Sequence, residues 1–123
     1  MVERVVVVGG GMAGGSAVVA LREQGYGGRL VVVTAEPHLP YERPPLSKGY
    51  LAGSTELAEL MVRPQEWYVD HDVEVVTGQD ARRLDLEERT VQVGEDAFGF
   101  DALLLATGSS ARRIPALEES GAP

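Results

Sequence analysis

The sequence predicts an α/β fold: a parallel β-sheet opened by a βαβ unit, with a three-stranded antiparallel β-meander ahead of its last strand. Three observations predict it. Arg4-Val5-Val6-Val7-Val8 is apolar at every position after the arginine, as in a strand covered on both faces. It runs directly into Gly9-Gly10-Gly11-Met12-Ala13-Gly14 and then into helix-forming residues. Further on, residues 81–100 break into short alternating segments separated by turn-like triplets.

The first strand is expected at Arg4–Val8. Gly9 allows the tight turn, Gly11 lets backbone approach a phosphate, and Gly14 lets the helix lie close to the strand. The helix is expected over Met12–Gln24, with small residues Ala13, Gly14, Ala17 and Ala20 towards the sheet. Arg22 suits its last turn and Gly25 its C′ position. Gly27-Gly28 turns the chain into a second strand, Arg29–Thr34. Strand, glycine turn, helix and strand in this order give a Rossmann-like unit, in which the helix N-terminus offers N–H groups and partial positive charge to a pyrophosphate.

A loop with four prolines follows, from Glu36 to Pro45. A short helix is expected over Leu46–Leu51 with Pro45 at its start, and another near Pro64–His71 with Trp67 as an apolar anchor. Val73–Thr77 reads as a strand. The meander is expected at Arg83–Leu86, Thr90–Val93 and Ala97–Phe100, and Ala102–Ala106 reads as another buried parallel strand. No internal repeat is apparent.

Composition removes several functions. The 123 residues suffice for one modest core. No stretch reads as a signal peptide or a membrane span, so the expected compartment is cytoplasmic. With no cysteine, this chain can form no disulfide, thiolate metal site or redox dithiol, and two distant histidines suggest no metal. The net charge of −8 argues against nucleic-acid binding. That charge is uneven: residues 1–50 carry net +1 and residues 51–123 net −9. The glycine-rich end thus avoids the acidic excess, as an anionic ligand requires.

The glycines alone do not separate NAD, NADP and FAD. Glu36, at the end of the second strand, can accept hydrogen bonds from ribose hydroxyls and would repel a 2′-phosphate; otherwise it is an exposed loop acid. Arg43 and Lys48 lie one loop further on and could reach back to a ligand, or be solvated.

Pro37-His38-Leu39-Pro40-Tyr41-Glu42-Arg43-Pro44-Pro45-Leu46-Ser47-Lys48 resembles the signature loop of FAD-dependent ferredoxin reductases of the putidaredoxin and rubredoxin reductase type. These belong to the pyridine nucleotide–disulfide oxidoreductase superfamily. The resemblance extends from Val5 to Pro115. It implies that Gly9, Gly11, Met12, Ala13, Gly14 and Glu36 bind FAD, with Arg43 near the pyrophosphate and Pro44 against the flavin. Lys48 would lie beside the isoalloxazine and set its electrostatics, a catalytic role. Ala106-Thr107-Gly108 would be a second backbone contact, followed by Arg112, while Ala81 would meet adenine through its backbone. One departure is Ala35-Glu36, where many relatives have two adjacent acids.

The resemblance implies an NAD(P)H-dependent reductase passing electrons through FAD to a ferredoxin-type iron–sulfur protein. The superfamily's disulfide reductases carry a cysteine pair after the second strand; here Pro44-Pro45-Leu46-Ser47-Lys48 stands instead. Members are much longer and have a discontinuous FAD domain. Residues 1–115 would be the first part of that domain and residues 116–123 the start of a connection to an NAD domain. Such a chain is expected to bind FAD weakly or as a homo-oligomer, and to be inactive alone. The alternatives are a stand-alone dinucleotide-binding module, or a non-catalytic paralogue that associates with a full-length reductase.

Overall fold

The valine run is buried on alternating sides. In the computed structural model, which describes residues 1–116 and Gly121, strand β1 spans Arg4–Val8. Val5 and Val7 join Val18, Leu30, Val32, Tyr68 and Val73 in one apolar cluster. Val6 and Val8 join Val31, Val33, Val91, Val93 and Phe100 in another. The sheet is therefore the middle of three layers, which is why β1 has no polar face.

Four parallel strands form that layer in the order β3-β2-β1-β7, with β2 at Arg29–Val33, β3 at Val73–Val76 and β7 at Ala102–Leu105. Val8 is in register with Val33 on one side and Leu105 on the other. Helices α1 (Met12–Glu23) and α2 (Gln65–Asp70) lie towards the first cluster, through Val18 and Leu21 and through Trp67 and Tyr68. The meander β4-β5-β6 (Ala81–Asp85, Thr90–Val93 and Asp96–Gly99) covers the other face.

The expected strands and two of the three expected helices are present, with shifted ends. Helix α1 stops one residue early. Gln24 is its C-cap, the Gly25 N–H donates to Arg22 and the Tyr26 N–H to Leu21, and Gly25 has φ +89°. This paired motif closes the helix on its own carbonyls. The Leu46–Leu51 helix is not formed: a 3-10 turn covers Pro44–Ser47 and irregular turns follow. Lys48, with φ −123° and ψ −108°, leaves helical geometry and ends the turn there. A second 3-10 turn at Leu57–Leu60 was not expected from the sequence. Strand β4 begins at Ala81, two residues earlier than expected, with a register irregularity between Ala81 and Arg83.

Strand β7 is parallel as expected but not buried: it is the edge of the sheet, and its Leu104 and Leu105 are exposed. Part of the proposed connection at 116–123, namely residues 117–120, 122 and 123, lies outside the described residues.

Candidate functional site

The chain runs β1, β2, β3 to one side of β1, while β7 returns to the other side. Where the order reverses, a crevice opens beyond the carboxyl ends of the strands. This is where open α/β sheets bind ligands. Here it has two adjoining compartments of about 260 and 320 Å³. Gly10, Arg43 and Thr107 line both.

The glycines shape the crevice floor. Gly9 has φ +127°, and a side chain there would collide with the Ala106 carbonyl at the end of β7. A side chain on Gly14 would collide with the Gly9 carbonyl, so α1 can sit on the turn only without one. Gly11 is different. A Cβ there would meet only the Arg43 Nε, at 3.9 Å, so its face opens into the crevice. Gly11 is also the N-cap of α1, has no capping side chain, and is followed by a first turn without an acid. The amino end of α1 therefore keeps uncapped N–H donors and positive potential directed at the second compartment, beside Met12 and Ala13.

Glu36 and Arg43 form the polar wall, and Tyr41, outside the lining, touches both. The Tyr41 hydroxyl donates to one Glu36 oxygen at 2.6 Å, and the Arg43 Nη2 to the other at 2.6 Å. The Arg43 guanidinium also lies 5.4 Å from the Tyr41 ring centroid, within cation–π range. The Tyr41 hydrogen bond, followed by the Arg43 charge, holds the Glu36 carboxyl below its usual range against an opposing desolvation. The same bond raises the Tyr41 hydroxyl. Glu36 thus stays anionic at neutral pH.

The structure brings most of the expected residues together. Gly9, Glu36, Arg43, Ala81 and Thr107 line the first compartment. Gly11, Met12, Ala13, Arg43, Ala106, Thr107 and Gly108 line the second, and Gly14 lies beneath them. Pro44, Lys48 and Arg112 are not among the lining residues. Lys48 is exposed, with its Nζ 3.5 Å from the Pro44 carbonyl oxygen, and Arg112 lies exposed on irregular backbone.

Sequence reasoning missed Tyr41, Gly10, Thr34 and Gln79. A Cβ on Gly10 would press on the Thr34 Oγ1 at 2.5 Å, and Thr34 is a buried polar side chain. Tyr41 stood in view between Glu36 and Arg43, but a hydroxyl in a proline-rich loop has no periodicity to mark its direction. Among the described residues no group of three His, Cys, Asp or Glu side chains could hold a metal, and no helix is long and apolar enough to cross a membrane.

Fold, glycine turn and crevice together define an α/β domain of the Rossmann-like class. The chain belongs to the pyridine nucleotide-disulphide oxidoreductase family, whose sequence pattern matches residues 3–122. It is 38% identical over 112 residues to rhodocoxin reductase of Rhodococcus erythropolis, covering 90% of this chain and 26% of that protein. It is 36% identical over 115 residues to the ferredoxin reductase component of chlorobenzene dioxygenase from Cupriavidus sp. strain PS12, covering 93% and 28%. Among solved structures, the covalent putidaredoxin reductase–putidaredoxin complex matches with a TM-score of 0.87 at 32% identity, over 92% of this chain and 27% of the matched one. The chain spans about a quarter of the length of these relatives.

Proposed function

We propose that the chain is the FAD-binding portion of an NAD(P)H-dependent flavoprotein reductase that delivers electrons to a ferredoxin-type carrier. The observation that carries this is the crevice running from Glu36 and Ala81, across the open face of Gly11, to Thr107 and Gly108, with Arg43 lining both compartments. The residues fit an extended dinucleotide. Gly11 leaves a cradle that a Cβ would begin to fill, and the uncapped end of α1 supplies donors for a pyrophosphate.

In this reading Gly11, Met12 and Ala13 bind the pyrophosphate, and Arg43 adds a guanidinium from above. Glu36 accepts from the ribose hydroxyls, and its charge repels a 2′-phosphate. Ala81 meets adenine through backbone groups, while Ala106, Thr107 and Gly108 let backbone approach the cofactor. Gly9 and Gly14 keep turn and helix in contact. Pro44 and Lys48 belong to the flavin end, where the Lys48 ammonium would favour an electron-rich ring, and Arg112 follows the Ala106-Thr107-Gly108 contact. Bound FAD would supply the link between hydride transfer and single-electron transfer. The 123 residues contain no cysteine, so no dithiol relay runs through them.

Residues 1–115 are assigned to the first part of a discontinuous FAD-binding domain and residues 116–123 to the connection that follows. We place the protein in the cytoplasm, with neither membrane nor nucleic acid as partner; the net charge of −8 counts against nucleic acid. Self-association through the exposed Leu104 and Leu105 of β7 belongs to the same proposal.

Titration with FAD and with NAD, followed by flavin fluorescence and calorimetry, tests the proposal. Saturable FAD binding is expected, weakened about ten- to a hundredfold in Arg43→Ala, the range for losing hydrogen bonds from a charged donor. Binding of NAD without any response to FAD would overturn it.

A further inference from the structure

Tyr41 touches both charged groups of the crevice wall. Its hydroxyl donates to Glu36 at 2.6 Å, and its ring face lies under the Arg43 guanidinium. Glu36 and Arg43 also meet each other, at 2.6 Å. Three side chains from one short loop thus form a closed triangle with Tyr41 at one corner. Two of them are carried by Tyr41 through different parts of the same side chain.

The backbone of Tyr41 is itself held. Tyr41 and Met61 form an antiparallel bridge. On either side of it the Glu42 N–H donates to Leu60 and the Val62 N–H to Pro40, at 2.8 and 2.9 Å. Leu60 and Pro40 are fully buried, and Pro40 and Val62 lie against Gly15 of α1. Tyr41 therefore stands on a small two-stranded brace fixed to the same helix whose amino end faces the crevice. Arg43 has no such brace. It sits at the start of the 3-10 turn with a mostly exposed side chain, so what directs it is its contact with Glu36 and with the Tyr41 ring.

Resting on the dinucleotide reading above, we propose that Tyr41 is the positioning residue of the site: it fixes Glu36 and Arg43 relative to the amino end of α1 and so sets the preference for an unphosphorylated ribose. Glu36 retains acceptor capacity after these two bonds, because a carboxylate offers about four lone-pair directions. Arg43 retains N–H donors of its fork beyond the one on Glu36. The triangle thus presents an acceptor towards a ribose and a cation towards the glycine turn. Without the Tyr41 hydroxyl, Glu36 is left to Arg43 alone, and the acid and the cation can neutralise each other in geometries that serve neither task.

The test compares the wild type with Tyr41→Phe, which keeps the ring and removes the hydroxyl. The probes are ADP-ribose and its 2′-phosphorylated form, each titrated calorimetrically across acidic to neutral pH. The Glu36 carboxyl is followed separately by carbon NMR without ligand. The groups facing Glu36 are Tyr41, Arg43 and His38, and Asp80 lines the same compartment. In Tyr41→Phe the Glu36 titration should move to higher pH. ADP-ribose should bind roughly tenfold more weakly, its binding should fail at a higher pH on the acid side, and the preference over the 2′-phosphorylated form should narrow by a similar factor. A Tyr41 that only braced the fold would lower stability and leave the ratio between the two probes unchanged, which overturns the proposal. Wild-type binding matched in full by Tyr41→Phe overturns the role of Tyr41 alone. A wild-type chain that binds neither ADP-ribose nor FAD overturns the dinucleotide reading and this role with it.

Discussion

Gly9→Ala and Gly14→Ala are each expected to destabilise the chain by about 3 kcal/mol or more, before any ligand is considered. At Gly9 two costs add. The φ of +127° lies where side-chain-bearing residues rarely go, and the new Cβ would be driven into the Ala106 carbonyl. That carbonyl cannot retreat cheaply, because the Ala106 N–H is bonded to Val8 at 2.8 Å and holds β7 against β1. At Gly14 the Cβ would meet the Gly9 carbonyl, so α1 must lift away from the turn. Lifting it disturbs Val18, which is fully buried between helix and sheet. Such a loss is a large share of the roughly 5–15 kcal/mol that stabilises a domain. Gly27→Ala is the control, with open space around its Cβ and an effect expected within about 0.5 kcal/mol. Urea or thermal unfolding checks all three. Equal stabilities for Gly14→Ala and Gly27→Ala would contradict the close seating of helix on turn.

Arg22→Ala is expected to cost about 2–3 kcal/mol, although Arg22 sits at the opposite end of α1 from the crevice. Its guanidinium donates to four carbonyls: Tyr26 at 2.6 Å, and Gly28, His71 and Asp72 at 2.9 Å each. These carbonyls belong to the end of α1, the turn into β2 and the end of α2. One planar fork therefore joins three chain segments that must converge for β2 and β3 to pair. Asp72 needs the support, since it has φ +52° as the chain leaves α2. Arg22→Lys should recover less than half of the loss, because an ammonium on a flexible stem cannot reproduce the fork. Chemical denaturation measures this directly, and an alanine variant within 0.5 kcal/mol of wild type would show that water replaces these bonds without cost.

Arg22 also shows where sequence reading stops. Its place in the last turn of a helix was legible, and a basic residue there suits the helix dipole. Its four acceptors were not, because two lie about fifty residues away and depend on the return of α2. Local signals did better. The unbroken valines of β1 carried the two-faced burial, since no alternation was available for a solvent face. The glycine spacing carried the turn and the approach of α1. The antiparallel meander was visible because its turns are polar and its strands short. The 3-10 turn at Leu57–Leu60 was not, since it forms by bridging back to the Tyr41 loop. Within the site, Gly11, Arg43 and Thr107 line one compartment; the glycine spacing pointed to the first and the resemblance to the other two. Pro44, Lys48 and Arg112 owed their roles to resemblance alone, and the crevice lining does not include them.

The central claim is that FAD lies along the crevice from Glu36 to Gly108. Amide chemical-shift mapping of the labelled chain during an FAD titration tests it most directly. The account predicts the largest changes at Gly11, Met12, Ala13, Ala81, Thr107 and Gly108, with saturation at all of them together. Changes centred instead on the separate groove beside Tyr68 and Val75, or an unchanged spectrum at saturating FAD, would contradict it.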